Sequence, residues 1–133
     1  MRVFIGFDSR EGVAVNVLTD SIQAHATRPV QIAQIRLSQL EGVYKRSRHP
    51  LQSTDFSFSR FLVPWLCNYE GWALFIDADM LCRGDLSELW ELRDERYAIQ
   101  ADQLSMQLGT GCHGDLVWFR SPTLPWLPAH PMS

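Results

Sequence analysis

Five consecutive apolar residues, Trp72-Ala73-Leu74-Phe75-Ile76, run directly into Asp77-Ala78-Asp79. An unbroken apolar run of strand length has no polar face to turn to water, so it reads as a strand covered on both sides, as in a parallel sheet. Such a sheet needs helices packed on its faces, and therefore strands and helices alternating along the chain. Two carboxylates two residues apart at the end of that strand are costly beside a core unless something neutralises them. They read in two ways. They are turn and capping groups after a strand, or they hold a hard divalent cation, Mg²⁺ or Mn²⁺, which prefers carboxylate, water and phosphate oxygens.

The rest of the chain supplies the alternation. Residues 2–7 form an apolar, β-rich run that stops at Asp8-Ser9-Arg10. From Glu11 to Ala26 the spacing of Ala14, Val17, Leu18, Ile22 and His25 predicts a helix with one stripe on a sheet. Thr27-Arg28-Pro29 ends it and Val30–Ile35 follows as a second strand, so the chain opens on a right-handed parallel crossover. Phe61, Leu62, Trp65, Leu66 and Tyr69 predict a second amphipathic helix, bent or restarted at Pro64 and stopped by Gly71. Asp85 with Glu88 three residues on predicts a capped short helix at 85–90, and Tyr97–Ala101 a further strand. Beyond Asp102 the pattern fades. Leu116–Phe119 reads as one short strand within an irregular Gly/Pro-rich tail, residues 104–133, whose last dozen residues cannot be helical. The expectation is an α/β domain over 1–103 with a mostly parallel sheet flanked by helices, followed by the irregular tail.

At 133 residues there is room for one domain. Hydrophobic residues at 46% and charged residues at 20% favour a packed core over disorder. A net charge of −3 argues against a nucleic-acid partner, which needs a basic face to displace counterions. No apolar run reaches the roughly 20 residues of a membrane span, and no leader pattern opens the chain. Three cysteines, Cys67, Cys82 and Cys112, are odd in number and show no two-residue metal or redox spacing, so they read as small buried hydrophobes in a reducing compartment, the cytoplasm. Lys45-Arg46-Ser47-Arg48-His49 reads as a solvated loop or as an arm guiding an anionic ligand.

Arg60 stands 17 residues before Asp77, at the start of the helix that feeds the same strand. From there a guanidinium can reach over the strand end, pair with Asp79, or fork onto a phosphate. The succession Phe58-Ser59-Arg60-Phe61-Leu62-Val63-Pro64, then Leu74-Phe75-Ile76-Asp77-Ala78-Asp79-Met80-Leu81, then Gly84-Asp85-Leu86-Ser87-Glu88-Leu89-Trp90 resembles glycosyltransferase family 8 in order and spacing, over about residues 2–102. The resemblance implies a GT-A-type, Rossmann-like nucleotide-sugar-binding fold, incomplete at its C-terminus, with a UDP-sugar donor, a Mn²⁺ (or Mg²⁺) ion and a retaining transfer to an acceptor (saccharide, lipid or protein) that the sequence does not identify. By the same resemblance Asp77 would meet ribose, sugar or metal, and Asp79 would be the main metal ligand. Arg60 would hold the donor sugar or diphosphate, Asp8 would sit at the uridine, and Asp102 would fall near the sugar.

The family's second half carries a His-Phe-x-Gly-like metal motif that has no counterpart here; His113 and His130 read as loop histidines. A truncated or frame-shifted tail would leave a nucleotide-binding fragment without catalysis, and that is the alternative reading. Phosphatases of the haloacid-dehalogenase type also place Asp-x-Asp after an apolar strand, with the first Asp as nucleophile. They continue with Thr or Val and carry the pair near the chain start, whereas here Met80 follows and the pair lies mid-chain.

Overall fold

The computed structural model describes residues 1–45, 47, 57–104 and 114–121. In chain order the elements are β1 (Arg2–Gly6), α1 (Gly12–His25), β2 (Gln31–Ile35), α2 (Val63–Leu66), β3 (Gly71–Ile76), α3 (Leu86–Trp90), β4 (Ile99–Leu104) and β5 (Gly114–Ser121). Short 3₁₀ turns occupy Leu37–Gln39 and Ser59–Leu62, the latter running straight into α2. The five strands form one sheet in the order β2-β1-β3-β5-β4. β1 pairs in parallel with both β2 and β3, whereas β5 is antiparallel to both β3 and β4. Four strands therefore point one way and β5 alone is reversed, a mixed α/β sheet that is mostly parallel.

The apolar run behaves as its composition requires. Ala73, Leu74, Phe75 and Ile76 are all buried in β3, the middle strand of the sheet. Its register with β1 sets Leu74 beside Val3 and Ile76 beside Ile5 on one face, with Phe75 beside Phe4 on the other. Val15, Leu18 and Ile22 of α1, Val63 of α2 and Leu86 of α3 complete the same core. The chain enters β3 through left-handed backbone at Asn68, Tyr69 and Gly71. At Gly71 the positive φ of 68° calls for glycine, while the nearest atom to an added side chain, 2.9 Å away, is the movable tip of Arg2.

Three sequence-based expectations are corrected in phase or extent. In α1 the buried stripe is Val15, Leu18, Ser21 and Ile22, while Val17 and His25 face outward. In the segment around α2 the buried positions are Ser59, Val63 and Cys67, one helical row; Phe61, Trp65 and Tyr69 are exposed. Side-chain hydrophobicity alone does not set which face is buried; the packing direction of each helix follows from the sheet it lies on. The third correction lies within 104–133. Leu116–Phe119 is not a short isolated strand but part of an eight-residue one, inserted between β3 and β4. Most of the basic stretch at 45–49, with Cys112, His113, His130 and residues 122–133, lies outside the described residues.

Candidate functional site at the carboxyl edge of the sheet

Parallel strands deliver their carboxyl ends to one edge, and in open α/β sheets that edge is where ligands bind. The register makes the alignment explicit: Gln34, Ile5, Ile76, Leu116 and Asp102 form one row across the five strands. Asp77 follows Ile76 by one residue and Asp8 follows Ile5 by three, so both leave the sheet at this edge. Asp102 lies within β4 rather than after it, and its backbone sits two strands from Ile76. That spacing amounts to about 10 Å.

Arg60, in the 3₁₀ turn ahead of α2, arrives from the face that carries Phe75. Its guanidinium carbon lies 5.0 Å from the centre of the Phe75 ring, and its Nη2 donates to Asp77 Oδ1 at 3.2 Å. The side chains are 15% and 10% exposed, so this ion pair is largely withdrawn from water. The sequence allowed Arg60 to pair with Asp79; the structure pairs it with Asp77. The two carboxylates of Asp77-Ala78-Asp79 thus divide. Asp77 is buried and neutralised by Arg60, whereas Asp79 is exposed and makes no hydrogen bond or ion pair among the described residues.

Asp8 is fully buried at the end of β1. Its carboxylate accepts from the Arg10 backbone N–H at 3.0 Å, from Arg10 Nε at 2.9 Å and from Arg10 Nη2 at 2.7 Å. This is a bidentate fork, the strongest geometry for such a pair. Arg10 itself is mostly exposed, so what this strand end turns outward is a guanidinium held in place by a buried acid. Arg36, just past β2, stacks on Phe7 with its guanidinium carbon 3.8 Å from the ring centre and is held by Gln34 through Nε and Nη2. Arg10 and Arg36 went unassigned in the sequence reading. The signal for the first was the Asp-x-Arg spacing in a tight turn; the second had none, because its Phe7 partner lies just past β1, far from it in sequence. Three guanidiniums, Arg10, Arg36 and Arg60, stand at one sheet edge with three carboxylates, Asp8, Asp77 and Asp79, and planar guanidiniums are suited to phosphate oxygens.

Among the described residues no three or more His, Cys, Asp or Glu side chains stand together as a metal cage. The carboxylates of Asp77 and Asp79 could hold a hard cation of the kind that takes one or two protein carboxylates and fills its other positions with water and substrate phosphate.

Past Asp79 the chain crosses to the C-terminal end of α1. Asp85 caps α3 by accepting from the Ser87 backbone N–H at 2.9 Å. It also accepts from the Thr27 hydroxyl. The Thr27 hydroxyl first, and then the Ser87 amide, pull the Asp85 carboxyl down to about 2.

These features define an α/β domain with a polar, arginine-rich strand-end edge, and the fold has a solved counterpart. The apo-form glycosyltransferase GlyE of Streptococcus pneumoniae TIGR4 superposes with a TM-score of 0.56 at 18% sequence identity, over 90% of this chain and 33% of that one. Protein CDI of Arabidopsis thaliana is 47% identical over 104 residues, 77% of this chain. The chain spans 40% of that relative's length. No family model matches the chain. Among the described residues no helix is long and apolar enough to cross a membrane.

Proposed function

We propose that the chain is the donor-binding part of a metal-dependent glycosyltransferase of the family 8, GT-A type, taking a UDP-sugar and passing the sugar to an acceptor. The observation that carries this is the division of labour at the end of β3: Asp77 is held by Arg60, and Asp79 stands exposed, with no hydrogen bond or ion pair among the described residues. The fold shared with a glycosyltransferase supports it. In this reading Asp79 is the main ligand of Mn²⁺ or Mg²⁺, with Asp77 beside it. When bound, the ion offsets charge on the leaving diphosphate as a Lewis acid. Arg60, seated on Phe75, turns its planar fork toward the diphosphate or donor sugar, and Arg10 and Arg36 add positive charge along the same edge. Asp8 sits at the uridine side mainly by fixing Arg10, and Asp102 lies toward the sugar. Cys67 and Cys82, both free thiols, fit a cytoplasmic protein.

Calorimetry of UDP binding with and without Mn²⁺ tests the reading. Heat that requires Mn²⁺ in the wild type and is missing in Asp79→Asn is the expected pattern; UDP heat indifferent to both would overturn it. A second reading, nucleotide binding without transfer, draws on the lack of a third metal-ligating side chain beside the two acids among the described residues. Release of free sugar or a glycosylated product from UDP-sugar separates the two, since binding without turnover is the signature of the second.

A further inference from the structure

The residues that carry Asp79 away from β3 pack on the core through Met80 and Cys82 but make few hydrogen bonds. Between Ala78 and Gly84 the described residues form no regular element. Their hydrogen bonds among the described residues are two: the Cys82 backbone N–H to Ser21 Oγ at 3.0 Å, and the Cys82 thiol to the Gly84 carbonyl at 3.0 Å. The second is local. Of these two hydrogen bonds only the first reaches another element, and it ends on a side chain in the C-terminal half of α1. Ser21 lies on the buried stripe of α1 between Leu18 and Ile22, where an apolar residue would pack more simply. Its hydroxyl donates to the Leu18 carbonyl at 2.8 Å and accepts from Cys82, so both of its capacities are used. Farther along, Thr27 donates to Asp85 and Arg28 pairs with Glu91 at 2.7 Å, so the end of α1 and the residues after it secure the start and end of α3. Met80, partly buried against the core, lies between Asp79 and the Ser21 tether.

We infer that Ser21 is a positioning residue for Asp79: its hydroxyl holds Cys82 and thereby sets where the Asp79 carboxylate stands relative to the Arg60–Asp77 pair. The inference rests on the metal reading proposed above. A carboxylate on an untethered turn can still bind a cation, but it must be ordered each time, and that ordering lowers affinity.

The test uses the full chain with Ser21→Ala and Ser21→Thr, the latter keeping the hydroxyl. Hydrogen exchange at the Cys82 amide should speed up about tenfold in Ser21→Ala, the loss expected for one buried hydrogen bond, and return toward wild type in Ser21→Thr. Binding of Mn²⁺ in the presence of UDP, followed by the paramagnetic resonance of the free ion, should weaken by about the same factor in Ser21→Ala and recover in Ser21→Thr. Unchanged Cys82 exchange would overturn the tether. Faster exchange with unchanged Mn²⁺ affinity would overturn the positioning role. Absence of Mn²⁺ binding by the wild type would overturn the metal reading itself, and the exchange result would still decide whether Ser21 holds the turn. Far-UV circular dichroism confirms that α1 survives in each variant.

Discussion

The acids of Asp77-Ala78-Asp79 are alike in sequence and opposite in circumstance. Asp77 faces a guanidinium in a largely dry setting, and removing one partner of such a pair strands the other charge. Asp77→Ala should therefore cost about 3–5 kcal/mol of stability, read as a lower urea midpoint. Asp79→Asn, at an exposed position, should leave the midpoint within about 0.5 kcal/mol of wild type while removing Mn²⁺-dependent UDP binding. Equal destabilisation by the two variants would show that the acids share one environment. At this scale the sequence was informative about residue identity and poor about pairing. Asp77, Asp79 and Arg60 stood out because charges bordering an apolar run need a reason. Arg10 did not, since its bidentate grip on Asp8 depends on how residues 8–11 turn, which the Glu11 backbone N–H fixes by bonding the Asp8 carbonyl at 2.9 Å.

At the scale of elements, the alternation of strands and helices was legible because apolar runs and helical spacing report it directly. The phase of each helix was not. Val17 and Val15 carry the same side chain two positions apart in α1, yet one is half exposed and the other wholly buried. The difference comes from the sheet surface beneath, which no local window contains. Two substitutions measure it. Ile22→Ala, at a fully buried position, should destabilise by about 2–5 kcal/mol. Val17→Glu should change stability by no more than about 0.5 kcal/mol. Comparable losses in both would mean that α1 is rotated from the arrangement described. β5 was underestimated for a related reason. Its length follows from pairing with β3 and β4 across many intervening residues, while its own sequence, Gly114–Ser121, is flanked by glycine and proline that signal irregular structure.

For the molecule as a whole, two half-buried carboxylates, Asp85 and Asp94, favour the folded form as acid is approached. Hydrogen bonds from Thr27 and Ser87 bring Asp85 down to about 2, and the Arg96 side chain, then its backbone N–H, bring Asp94 to about 2. An unfolded aspartate titrates near 3.9, so the folded form holds its proton less tightly than the unfolded one. The stabilisation is thus fully present above about pH 4 and is lost as pH falls toward the folded values. The urea midpoint of the wild type should exceed that of Asp85→Asn by a constant margin at neutral pH, and the margin should shrink between pH 4 and 2. A margin unchanged across that interval would disprove the role assigned to Asp85.

The reversed strand also dictates an order of assembly. β5 lies between two neighbours that precede it in the chain, so the flank of β3 away from β1 stays unpaired until β5, alone or already joined to β4, docks against it. On the ribosome, the most apolar strand of the protein would keep one hydrogen-bonding flank open until residue 121 has emerged. A nascent chain that pauses earlier would offer that flank to its neighbours on the polysome, and synthesis speed over this stretch bears directly on yield.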